Sequence, residues 1–238
     1  MSYIPYIAEF LGTAILIILG TGVVANVNLE KGGMNGAGPI QITFAWGFAV
    51  MIPAFIFGVS SGAHFNPALT IALAIDGSFD WAMVPGYIIA QFLGAFTGAV
   101  VVYSLFKDHF DATESCAVKL GVFCTSPSIE NRKRNILSEI VSTFILVFAI
   151  KGIGQIQDLA PGIDKLLVFS IIVSIGMYLG GLTGYAMNPA RDLGPRLAYT
   201  ILPIKGKCSA NWSYSLVVIV GPIVGAILAV LLYKYLPW

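Results

Sequence analysis

The chain has 238 residues, 57% of them hydrophobic and only 11% charged. Soluble domains carry about 25% charged residues because their surface must be solvated, so this composition excludes a soluble globular fold and points to an integral, multi-pass membrane protein. A net charge of +1 offers no basic patch for nucleic acid, and the opening "MSYIPYIAEF" lacks the positive stretch of a cleaved signal peptide.

A helix needs about 20 apolar residues to cross the hydrocarbon core. The first such stretch is 4–26, with Glu9 and Thr13 in "EFLGT". A Gly-rich link, "EKGGMNGAGP", leads to a second span over 40–60. There the pattern breaks at "GAHFNPA", and the apolar run that follows, 67–75, is too short to span. About ten helical residues cover only about 15 Å, half the core. Asn66 is placed as an N-cap and Pro67 as the first helical residue, so the break reads as the start of a short helix. After "DGSFDW" a third span is predicted over 82–106, then a long polar loop over 107–135. The fourth span, 136–157, carries Glu139 and Thr143 in "EIVST", and the fifth is 165–182. "GYAMNPA" then repeats the break, with Asn188 and Pro189 opening a second short helix over 189–200. After "PIKGKCSANW" the last span is predicted over 213–236.

The elements fall into two copies. Glu9 and Glu139 begin matching Glu-x-x-x-Thr patterns, the two Asn-Pro-Ala motifs follow, and "FLGA" and "IVGA" close each copy. Three spans per copy is an odd number, so the copies must be inverted in the membrane. Inverted repeats with broken helices place a site near the midplane. Asn66 and Asn188 then meet there, and the irregular stretches before them must be packed in protein or line a wet cavity. The fold class is all-α: six transmembrane helices plus two half-helices in one domain over 1–238, with repeats 1–106 and 136–238 joined by 107–135.

Paired "GAHFNPA" and "GYAMNPARD" motifs in two inverted three-helix halves resemble the major intrinsic proteins, the aquaporins and glycerol facilitators, over nearly the whole chain. Asp192 after Arg191, Arg196 in "DLGPR" and the Pro222–Ile223 pair are similar to the glycerol-facilitator branch. The resemblance implies a selectivity filter of Trp46, Gly176, Tyr185 and Arg191. It implies a junction of Asn66, Pro67, Ala68, Asn188, Pro189 and Ala190. Backbone carbonyls of Gly62, Ala63, His64, Phe65, Gly184, Tyr185, Ala186 and Met187 would line the pore. Tyr185 stands where Phe is the commoner residue and Phe65 where Leu is frequent. Within that frame Trp46 and Tyr185 make an apolar corner opposite Arg191, which suits the CH and OH faces of a linear polyol, and Gly176 leaves room.

The residues carry this chemistry in ways that general principles allow. A capping Asn uses its side-chain oxygen and keeps two amide donors for a solute oxygen. Two half-helices direct about half a positive charge each to the centre, and with Arg191 they repel cations and hydronium. An intramembrane Arg is functional by default, the alternative being a salt bridge with Asp192. Trp46 read alone is packing or interfacial belt. Glu9 and Glu139 are either proton relays or acceptors for the unpaired N–H groups of the irregular stretches, and their symmetry favours the structural task. His64 is expected to be neutral and structural; His109, in the long loop, is the one other His, so no metal site is expected.

Cys116, Cys124 and Cys208 fall in polar connections at spacings that match no zinc motif, so free thiols are expected, with a Cys116–Cys124 bridge as the alternative. "NRKRN" at 131–135 predicts a cytoplasmic loop by charge, whereas the resemblance implies an exterior loop with both termini inside. The expected function is a passive channel in the plasma membrane for small uncharged solutes: glycerol, some water, and solutes such as dihydroxyacetone or urea. It needs no cofactor, is not an enzyme, and is a homotetramer by the family's habit, with Gly94, Ala95, Gly98 and Ala99 permitting close helix packing. The alternatives are a water-selective channel of the same fold and an ion-coupled secondary transporter, for which Glu9 and Glu139 are the candidate titrating groups.

Overall fold

The computed structural model describes residues 3–236, and all regular structure among them is helical. Helix α1 (Ile4–Asn28) is followed by α2 (Pro39–Ser61) and the short α3 (Pro67–Asp76). A 3-10 turn, Trp81–Met83, leads into α4 (Val84–Leu105). Two short helices follow, α5 (Lys107–Ala112) and α6 (Cys116–Phe123). The second half comprises α7 (Arg132–Ile153), α8 (Ile163–Thr183), the short α9 (Pro189–Ile201) and α10 (Ser215–Tyr235). Six of these helices are long and apolar enough to cross a membrane. Their outward faces carry Phe55, Ile56, Val59, Ile89, Leu93 and Leu228, all exposed, as the lipid-facing side of an integral multi-pass membrane protein requires.

Two sequence expectations differ from the structure. Helix α7 begins at Arg132 rather than at 136, because Asn131 caps it through a hydrogen bond from the Arg134 N–H at 3.2 Å. "NRKRN" is therefore the cap and solvated first turn of a spanning helix, which an apolar pattern cannot detect. The 107–135 connection is likewise no simple polar loop. Ser115 caps α6, and Phe110, Val122 and Phe123 are fully buried in the central core, with the Phe110 and Phe123 rings stacked at 5.4 Å.

Close helix crossings are made by glycine. A Cβ on Gly94 of α4 would lie 2.3 Å from the Phe10 carbonyl of α1, and one on Gly225 of α10 would lie 2.3 Å from the Ile140 carbonyl of α7. The two contacts are equivalent between the repeats. Gly98, against the Ala14 carbonyl, extends the first, and Ala95 and Ala99 are fully buried, Ala95 against Gly194 of α9. These small residues permit the close helix packing expected of them, and they do so inside the chain. Each half-helix packs across the repeat boundary, α9 on α4 and α3 on α10.

The half-helices end on opposite faces. At the end of α3, Asp76 accepts an ion pair from Lys151 of α7 at 2.6 Å, on the face of both termini. The segment after α9 lies on the other face, where the Lys119 ammonium of α6 donates to the Lys205 carbonyl at 2.6 Å.

Gly225→Ala is expected to destabilise the protein by about 1–3 kcal/mol through overpacking. Gly121→Ala, in α6, where a Cβ meets nothing within 4 Å, is expected to be neutral. Thermal unfolding of the two variants in detergent, compared with the parent, checks both.

Candidate functional site

The site is built where the two irregular descents meet. After α2 the chain turns through Gly62 (φ 81°), Ala63 (φ 54°) and Phe65 (φ 47°); after α8 it turns through Gly184 (φ 79°), Tyr185 (φ 38°) and Met187 (φ 50°). Left-handed backbone at non-glycine residues costs about 1–2 kcal/mol each, so something must hold it. Two buried carboxylates do. Glu9 Oε1 accepts from the Ser61 hydroxyl at 2.7 Å and the His64 N–H at 2.9 Å. Its Oε2 accepts from the Phe65 N–H at 2.7 Å and the Gln91 amide at 2.8 Å. Glu139 repeats the pattern: Oε1 accepts from the Thr183 hydroxyl and the Ala186 N–H, and Oε2 from the Met187 N–H at 2.9 Å. The nitrogen partners are all donors, so both oxygens of each group act as acceptors.

The Asn-Pro starts behave as their sequence predicts. Asn66 Oδ1 accepts from the Ala68 N–H at 2.9 Å, and Asn188 Oδ1 from Ala190 at 3.0 Å and Arg191 at 3.2 Å. Pro67 and Pro189 open the helices, and Ala68 and Ala190 are fully buried behind them. The amides then cross. Asn66 Nδ2 donates to the Met187 carbonyl at 2.8 Å, and Asn188 Nδ2 to the Phe65 carbonyl at 2.7 Å. One of the two donors expected to be free on each Asn is therefore engaged, leaving one apiece. The carbonyls of Phe65 and Met187 are engaged too, whereas no donor among the described residues reaches those of Ala63, His64, Tyr185 or Ala186.

A cavity of ≈ 340 Å³ runs past this junction. It is lined by Trp46, both descents (Gly62–Asn66 and Gly184–Asn188) and Arg191, with Leu69, Leu73, Leu146, Ile150 and Ile172 along its apolar wall. Neither Glu9 nor Glu139 lines it. The Arg191 guanidinium lies over the Trp46 ring, 4.1 Å from its centroid, and donates to the Phe123 carbonyl at 3.3 Å. Arg191 is thus stacked on Trp46 rather than opposite it; a desolvated guanidinium gains about 2 kcal/mol from an aromatic face. Gly176 does not line the cavity. The room it leaves is taken by Tyr185, whose ring atoms would be 3.0 Å from a Cβ there, and by Thr43.

The remaining residues support this arrangement. The Phe65 ring is fully buried against Gly12 of α1, where a Cβ would come within 2.0 Å of it. The Trp46 ring sits the same way against Gly20, two turns along the same helix. His64 is fixed by Thr70 at 3.1 Å and by the Phe79 and Tyr87 rings. Asp192 does not pair with Arg191. Its Oδ1 accepts from Arg196 Nε at 2.7 Å, and its Oδ2 from the Thr125 N–H and hydroxyl at 2.8 and 2.6 Å. Thr125, Gln91, Tyr87 and the Phe123 carbonyl were not among the sequence candidates. Ser115 before a largely apolar "CAVKLGVF" is a helix signal inside the polar loop that identifies α6.

The sequence profile described as major intrinsic protein matches residues 2–233. The chain is similar to the probable glycerol uptake facilitator protein of Thermotoga maritima, 53% identical over 97% of this chain and 98% of that protein. It is 52% identical to the glycerol uptake facilitator protein of Bacillus subtilis over 91% of this chain and 79% of that protein. Its structure superposes on the X-ray structure of the aquaglyceroporin from Plasmodium falciparum with a TM-score of 0.88 at 32% identity, covering 99% and 97% of the two chains. A profile spanning residues 2–233, two inverted broken-helix repeats and their reciprocal Asn junction together place this chain in the major intrinsic protein family.

Proposed function

We propose that the protein is a passive channel of the cell membrane for glycerol and other small uncharged solutes, with some water. The observation that carries this is Arg191 stacked on Trp46 beside two convergent half-helix N-termini, in a cavity with one apolar wall. A polyol's CH groups suit Trp46, Tyr185 and the aliphatic wall. Its hydroxyls suit Arg191, the remaining Asn66 and Asn188 donors, and the carbonyls of Ala63, His64, Tyr185 and Ala186. The relatives' names, glycerol uptake facilitators, support the same solute class. Arg191 and the half-helix dipoles make the centre electropositive and disfavour cations. Dihydroxyacetone and urea share the size and neutrality that this site takes. A homotetramer would bury part of the exposed apolar surface, with one pore per chain.

The geometry favours passive flow over ion coupling. Glu9 and Glu139, the candidate titrating groups, are fully buried, hydrogen-bonded to donors of the descents and outside the cavity lining. A water-selective site is disfavoured by the aromatic pair, Trp46 and Tyr185, on the cavity wall. Stopped-flow light scattering of proteoliposomes in a glycerol gradient is expected to show glycerol flux that persists when ion gradients are collapsed. Water flux without glycerol flux refutes the proposal.

Trp46→Ala is expected to admit larger polyols, read as flux of five- and six-carbon polyols that the parent excludes; an unchanged solute range removes Trp46 from the filter. Arg191→Val is expected to raise proton or cation leak, measured with a trapped pH dye; a mutant that stays tight transfers the exclusion to the half-helix dipoles. Glu139→Gln is expected to lower stability, since its amide faces N–H donors and each lost bond to a charged acceptor is worth about 1.5–3 kcal/mol. Thermal unfolding tests this, and any surviving flux is expected to be passive.

A further inference from the structure

Cys116 and Cys208 lie far apart in sequence and on different elements, yet the fold brings them together. Cys116 opens α6, and Lys119, one turn on, shares its face. Lys119 donates to the Lys205 carbonyl at 2.6 Å, and Cys208 lies three residues beyond Lys205. Cys116 and Cys208 interact, a contact that pushes Cys116 above the usual thiol range, and the Cys208 sulfur also lies 3.8 Å from the Tyr199 hydroxyl. The Cys208 segment is itself held firmly. Its N–H donates to the Tyr199 hydroxyl at 3.1 Å, and the neighbouring Lys207 ammonium donates to the Thr200 and Leu202 carbonyls at 2.7 Å each. Both thiols are partly exposed, whereas Cys124 is buried in the core. Cys124 also stands eight residues from Cys116, at the far end of the same helix. That is about 12 Å at 1.5 Å per residue, beyond the reach of a disulfide.

We propose that Cys116 and Cys208 form an oxidisable pair that closes as a disulfide and ties α6 to the segment after α9. The oxidant is a small-molecule or protein disulfide. One thiolate attacks it, forming a mixed disulfide and releasing one thiol; the second thiolate attacks the mixed disulfide, forming the Cys116–Cys208 bond and releasing the other. The pair loses two electrons and two protons, and the oxidant becomes two thiols.

The bridge spans the two supports of Arg191. Helix α6 ends at Phe123, whose carbonyl accepts from the Arg191 guanidinium, and α9 carries Arg191 itself. The bond therefore clamps both, and closes a loop of roughly 90 residues in the unfolded chain.

The test incubates the purified full-length protein with oxidised glutathione. Titratable thiols are expected to fall from three to one per chain, and a Cys116–Cys208 linked peptide to appear in a non-reducing digest. The thermal midpoint is expected to rise by about 5–10 °C, reversibly with dithiothreitol. Cys124→Ser keeps the bridge, and Cys116→Ser or Cys208→Ser each abolishes both the linked peptide and the shift. Separate glutathione adducts on the two cysteines, thiols that stay reduced, or a bond between two chains would overturn the pairing. A linked peptide with no change in midpoint would overturn the clamp.

Discussion

Backbone at the middle of a membrane must be packed in protein or line a wet cavity, so the N–H groups of the two descents that turn away from the cavity need protein acceptors. Glu9 and Glu139 meet that demand. Each is a buried carboxylate that spends its lone pairs on the N–H groups of residues 64–65 or 186–187 and on the hydroxyl that ends the preceding helix. Burying a charge is costly unless it is paired or fully hydrogen-bonded, and here donors supply the compensation. The left-handed residues, the placement of both Asn residues and the carbonyls left open all follow from these two groups.

The two descents also hold each other. Asn66 donates to the carbonyl before Asn188, and Asn188 to the carbonyl before Asn66. This reciprocal pair joins the repeats at their centre, while α9 on α4 and α3 on α10 join them at the sides. Neither half can form its part of the junction alone.

The fold is nearly two-fold symmetric and the site is not. The second motif continues as Arg191–Asp192 where the first has Leu69–Thr70. The second half accommodates its cation with resources that the first lacks. Asp192 holds Arg196 and Thr125, Arg196 reaches the carbonyls of Thr125 and Ala210, and α6 presents the Phe123 carbonyl to Arg191. Of those partners Thr125 and Phe123 come from the connection between the repeats, the segment that also buries Phe110. The pairing of Cys116 with Cys208 lies on the same outer layer.

The spans, the half-helices, the repeat and its inversion were legible in the sequence, because apolar length, Asn-Pro capping and an odd number of spans are local or countable properties. The symmetry of Glu9 and Glu139 was visible as well, and the fold supplies the N–H groups of 64–65 and 186–187 that they accept from. What tertiary structure alone decided are contacts between residues far apart in the chain: Arg191 on Trp46, Phe65 in the notch at Gly12, Tyr185 in the space of Gly176, and Gly94 against α1. A glycine or an aromatic declares its size in the sequence but not its partner, since the partner is chosen by how two helices cross. Phe65 shows the difference: its place in the motif sets its backbone, and α1 supplies the glycine that receives its ring.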